Sequence, residues 1–142
     1  MKQFCYSLFI VLISWIAFSC SGSAEDITEA NLREAEMAIA QGDMTAAESA
    51  AKYIVGDRSL DDLTPRQLGR LSMIYIQLAD ADDKGDHVSR ATDCYRTAFA
   101  VDSDSAAAFY NNVIPEHTAH AMLLSAIVHS TDIPTDSLHL DD

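Results

Sequence analysis

Between Gly85 and Tyr110 the chain reads GDHVSRATDCYRTAFAVDSDSAAAFY, and this stretch restricts the fold more than any other. Val88, Ala91, Tyr95 and Ala98 recur at steps of three and four, the spacing that lines one face of an α-helix. Asp102, Ser103 and Asp104 interrupt the pattern, and Ala106 opens a new apolar face. The reading is a helix, a tight polar turn and the start of another helix.

The rest of the chain repeats this grammar. Leu32, Ala35, Ala38 and Ile39 share one helical face, while Glu29, Arg33, Glu34 and Glu36 occupy the others. Gln41-Gly42-Asp43 supplies a stop, a turn and an N-cap. The next helix places Ala47, Ala51 and Ile54 on one face, with Thr45 and Glu48 spaced for a capping box. A polar connector, 55–63, leads to Thr64-Pro65-Arg66-Gln67, which combines a capping threonine, a proline at the first helical position and a glutamine to close the box. That helix presents Leu68, Leu71, Tyr75 and Leu78. Ala106, Phe109, Tyr110 and Val113 mark another, which Pro115 interrupts. The segment from His117 to His129 is apolar on several sides, as expected of a helix that caps the preceding ones or lies in a dimer contact. The expected fold is all-α, with five to six helices in antiparallel hairpins.

The stretch from Gly85 to Tyr110 resembles the second helix and exit turn of a tetratricopeptide repeat. The family's small residue falls on Ala91, its aromatic on Tyr95, its second small residue on Ala98, and its helix-ending pair on Asp102 and Ser103, with serine where the family has proline. Gly42-Asp43-Met44 followed by Ala47 resembles the turn of a second repeat, with Ala51 in the place of the aromatic. Ser72 and Tyr75 fall where the repeat has a small residue and a tyrosine. Between Tyr75 and Ala91 lie about two helical turns more than the repeat holds, so either both helices are lengthened or 80–86 bulges as a loop. The resemblance implies an α-solenoid fragment over roughly residues 27 to 110, whose first helices line a groove for a peptide or a partner protein. Arg66, Arg70 and Gln77 are the outward groove positions it implies.

Ahead of the helices, Lys2 and the apolar run Phe4 to Phe18 have the form of an export signal, too short to span a bilayer comfortably. Ala17-Phe18-Ser19-Cys20, followed by Ser21-Gly22-Ser23, resembles a bacterial lipobox. The resemblance implies a signal peptide over 1–19 and a lipidated Cys20; the residues that follow read as a polar tether over 20–26, a helical domain over 27–130 and a flexible acidic tail over 131–142. Serine after the cysteine is similar to lipoproteins sent to the outer membrane, and the acids that follow resemble a surface-sorting signal. Ala17-x-Ser19 and Gly22-Ser23-Ala24 are alternative sites for an ordinary signal peptidase. Cys94 is the one cysteine left in the mature chain once Cys5 is removed and Cys20 acylated, so no disulfide framework is expected. A structural role fits Cys94 better than a nucleophilic one.

Charge and motif narrow the function. With 9 Lys plus Arg against 22 Asp plus Glu the formal charge is −13, which argues against sequence-independent binding of nucleic acid or of anionic lipid. The acidic loop from Asp80 to Asp86 invites calcium, but counting from Asp80 the fifth position is Lys84 and the twelfth Ala91, where an EF-hand needs an acid and a bidentate glutamate. His117 and His120 stand three apart without the frame of a zinc site. No phosphate loop, nucleophile elbow or CxxC occurs, so no catalysis, cofactor or metal is expected. The resulting expectation is a membrane-tethered scaffold of the cell envelope that binds a protein or peptide. Two alternatives stand beside it: a metal- or small-ligand-binding domain using His117 and His120, and a structural lipoprotein dimerising through Met122 to Val128.

Overall fold

Short-range signals set most helix ends. The Gln67 amide donates to the Thr64 hydroxyl at 3.3 Å while the Thr64 amide donates to Gln67 Oε1 at 3.0 Å, so the expected capping box forms with Pro65 at the first position. Gly42 turns the chain at φ 77°, a left-handed value that a Cβ would strain, and the amides of Gly42 and Asp43 close on the Ile39 and Ala38 carbonyls. Asp43 then caps the next helix by accepting from the Ala46 amide at 3.0 Å. This displaces the box expected of Thr45 and Glu48. With the cap already filled, Thr45 lies inside the helix, and Glu48 turns to Lys52 at 2.6 Å and His87 at 3.3 Å. Asp102 alone makes the turn expected of three residues: its amide donates to Ala98, and its carboxylate accepts from the amides of Asp104 and Ser105.

The computed structural model describes residues 24–56, 58–82 and 85–132, in which these ends delimit six α-helices. They are α1 (Ala24–Gln41), α2 (Met44–Gly56), α3 (Pro65–Ala81), α4 (His87–Val101), α5 (Ser103–Asn111) and α6 (Thr118–Thr131), with 3₁₀ turns at Leu60–Asp62 and Pro115–His117. The described residues contain no strand, and no helix among them is long and apolar enough to cross a membrane. The signal segment 1–19, Cys20 and residues 133–142 lie outside the described residues. Helix α1 begins inside the stretch expected as a tether, and α6 continues one residue past the expected domain end at 130. The surplus between Tyr75 and Ala91 goes into both expected places: α3 and α4 are 17 and 15 residues long, and a connector joins them.

Helix α3 is the hub. It touches α1, α2, α4, α5 and α6, and Leu68, Leu71, Ile74, Tyr75, Ile76 and Leu78 bury side chains around most of its circumference. Leu32, Leu68, Leu71, Ile74, Ile76 and Leu124 are each at most 1% exposed, and each such side chain contributes about 1.5–3 kcal/mol. Alanines at 35, 47, 51, 91, 98 and 106 are fully buried where helices meet and hold the axes close. At Gly69 the approach is closer still: an added Cβ would sit 2.4 Å from Phe109 Cδ1 of α5. One turn on, the buried Ser72 hydroxyl spends its proton on the Gly69 carbonyl at 2.7 Å, so the Tyr110 hydroxyl, 2.6 Å away, is the donor to Ser72. Tyr95 lies 4.7 Å from the Tyr110 ring and 4.8 Å from Phe99, and so ties α4 to α5.

Contacts at both ends establish direction. Gln67 reaches Glu29 at 3.3 Å, which sets the N-terminal turns of α1 and α3 side by side, and His87 Nδ1 lies 3.1 Å from the Asp82 carbonyl where α3 hands over to α4. His120 near the start of α6 lies 3.6 Å from Asp80 at the end of α3, and Asp132 past its end pairs with Arg96 of α4 at 2.7 Å. Helices α1, α3 and α5 therefore run one way, and α2, α4 and α6 the other. The apolar α6 covers α3 and α4 with the stripe Ala121, Leu124 and Val128, leaving Met122 and Leu123 outside at 68% and 48% exposure.

Candidate functional site

Because α1, α3 and α5 are parallel, with α3 touching both others, their outward surfaces share one side of the bundle. A concavity of about 330 Å³ lies there, lined by the apolar Met73, Ile74, Phe109, Val113 and Ile114 and by the polar Glu36, Arg70, Gln77, Asn112 and His117. A second, of about 500 Å³, shares Arg70, Phe109 and Asn112 with the first and extends to Arg66, Ser105 and Ala108. Through the shared residues they join as one trough along α3 and α5, lined by both apolar and polar side chains.

Arg66, Arg70 and Gln77 all line this trough, in three different states. Arg66 is exposed and makes no ion pair among the described residues. Gln77 donates its amide to the Met73 carbonyl one turn back, at 2.8 Å. Arg70 is spent on structure. Its Nη1 donates to Glu29 at 2.6 Å, and its Nε and Nη2 grip both oxygens of Glu36 at 2.7 and 2.8 Å, clamping α3 to α1. The hydrogen bonds to Glu36, opposed by burial, push the guanidinium above its ordinary value, with Glu29 adding to the effect. Burial tends to raise the Glu29 carboxyl, but the bonds from Arg70 and Gln67 outweigh it and hold the group below the usual range. An outward helical position thus carries a charge already neutralised by its own neighbours.

Phe109, Asn112, Val113 and Ile114 line the trough although the periodicity marks 109 and 113 only as core positions. The signal for them is the helix stop. Asn112 ends α5 and Pro115 keeps the chain extended at Ile114, which releases Val113 and Ile114 from the helix face and turns Ile114 out at 54% exposure.

His117 and His120 are not brought together on a common ligand position. His117 lines the trough, while His120 faces Asp80, and His129 bonds within its own helix to the Ser125 carbonyl at 2.7 Å. Among the described residues no three His, Cys, Asp or Glu side chains gather to hold a metal ion. Cys94 is 1% exposed, and burial, with Asp93 nearby, pushes its thiol up to about 12, so it stays protonated near neutral pH.

Compared with known proteins, the chain matches no family model, no curated protein and no solved structure.

Proposed function

We propose that this chain is an exported lipoprotein of the cell envelope, acylated at Cys20 and held on the outer membrane at its periplasmic face or the cell surface, whose trough binds a protein or peptide without catalysing a reaction. The observation that carries the reading is the trough itself. Three helices and a released loop contribute a mixed lining of apolar and polar side chains, the composition of surfaces that take an extended or helical segment. Arg66, exposed and with no ion pair among the described residues, supplies a cation at one end for a ligand carboxylate or carbonyl. The repeat-like spacing of Ala91, Tyr95 and Ala98 is consistent with such a scaffold, and the charge of −13 turns the search for a partner away from nucleic acid.

A photo-cross-linking residue at Val113, compared with one at exposed Asp93 on α4, tests this in the full chain in its native membrane. One adduct from Val113 and none from Asp93, weaker in a Cys20→Ser chain, is the expected result. Equal adducts from both positions, or none from either, would refute it.

A second reading rests on Met122 and Leu123, adjacent apolar side chains left outside on α6: a second copy covers them and the protein dimerises. The charge that tests this belongs at Met122 and not at Leu124, which is fully buried and would report on folding instead. Met122→Glu is expected to turn a dimer into a monomer by mass in solution.

A further inference from the structure

We propose that one end of the bundle, made by the N-terminal turns of α1, α3 and α5 and the C-terminal turns of α2, α4 and α6, lies directly against the phospholipid surface, so that the trough stands up from the membrane with Arg66 at its foot. The inference rests on the acylation of Cys20 proposed above and adds a docking surface to it. Four Cα-to-Cα steps separate Cys20 from Ala24, where α1 begins. Even fully extended they span at most about 14 Å, whereas the 18 residues of α1 run for about 27 Å. The link is shorter than the body it holds, so the end that carries it stays within about 14 Å of the acylated cysteine, nearer the membrane than the other end.

That end is also dressed for the contact. Ile27 in the first turns of α1, Tyr53 in the last turn of α2 and Val101 at the end of α4 are 49%, 56% and 45% exposed, and the alternating helix directions bring these three separate helices to one end. An exposed tyrosine and two exposed aliphatic residues at the same end suit the headgroup layer, where an apolar body and a polar tip are both satisfied. Charge supplies none of the attraction. Asp61, Asp62, Asp102 and Asp104 outnumber Arg58 and Arg66 there, so the anchor brings the surface to the membrane and a chain without it stays in solution.

Cysteine accessibility tests the orientation. Val101→Cys at the proposed lipid end and Gln41→Cys at the opposite end of α1 are each introduced into the full-length chain. The acylated proteins are purified, added to preformed phosphatidylethanolamine vesicles with no other protein present, and treated with a polyethylene-glycol maleimide. Cys94 gives no background because it is buried with its thiol pushed up. The expected result is that Val101→Cys reacts several-fold more slowly than Gln41→Cys on vesicles, and that the two react alike in chains that begin at Ser21, which carry neither the signal nor an acylated cysteine and stay in solution. Equal rates for chains that float with the vesicles would overturn the orientation and leave the anchor standing. Chains that carry Cys20 and fail to float would overturn the anchor and the orientation together.

Discussion

Arg70 decides whether the trough offers a partner one cation or two, and its replacement by methionine measures this. Methionine keeps most of the apolar stem but removes three charge-assisted hydrogen bonds of 2.6, 2.7 and 2.8 Å. Each such bond contributes about 1.5–3 kcal/mol where it is well buried. Here the guanidinium is 15% exposed but the carboxylates of Glu29 and Glu36 are 34% and 44% exposed, so water recovers much of what they lose, and exposed pairs alone contribute about 0–1 kcal/mol. The bidentate geometry lifts the value above that range, to a loss of about 2 kcal/mol for the whole clamp. At about 4 °C per kcal/mol for a domain of this size, Tm falls by about 8 °C. The assay is a urea and thermal melt of Arg70→Met, Glu36→Gln and the double variant, where the double loss should fall short of the sum by about 1 kcal/mol. Arg66→Met, with no ion pair to lose, should change stability by less than about 0.5 kcal/mol. If Arg70→Met also stays within about 0.5 kcal/mol, the clamp reasoning fails and both arginines are available to a ligand.

Gly69→Ala gains about 1 kcal/mol of helix propensity yet should destabilise by about 1–3 kcal/mol net, because its methyl meets the Phe109 ring; a urea melt checks this, and Phe109→Ala in the same chain should recover part of the loss. Glu29 and Glu48 have folded carboxyls held below their unfolded values, Glu48 chiefly by Lys52 and then His87. Their contribution is present above the unfolded value of about 4.3 and is lost as pH falls through it toward the folded value; melts from pH 7 to 3 should show this loss, flattened in Glu29→Gln and Glu48→Gln. Cys94 should resist iodoacetamide in the folded protein and react on unfolding in urea, followed by mass. Leu124→Asp should unfold α6 and cost more than about 3 kcal/mol, while Met122→Glu should leave Tm nearly unchanged.

Helix identity and several helix ends were legible in the residues. Thr64, Pro65 and Gln67 act within one turn, Gly42 and Asp43 within two, and Asp102 within three residues of itself, so their geometry needs nothing from the rest of the chain. The same locality produced the misreading at Thr45 and Glu48, which have the right spacing for a box but sit behind a better cap at Asp43. The apolar periodicity likewise determined which faces of α1 to α5 turn inward, since Leu32, Ala51, Leu68, Ala91 and Ala106 are all fully buried.

What only the tertiary structure decided is how those faces meet. Arg70 reads as an outward cation, and its clamp to Glu36 and Glu29 spans 34 and 41 residues of sequence. Gly69 reads as a weak point in a helix, until Phe109 lies against it. In α6 apolar residues occur on several sides, and only docking on α3 and α4 selected Leu124 for the core and Met122 for solvent. Caps and periodicity are set by interactions within a few residues, which the order of the chain displays directly. A partner 40 residues away depends on the rotation and offset of whole helices, which the packing of every side chain settles together.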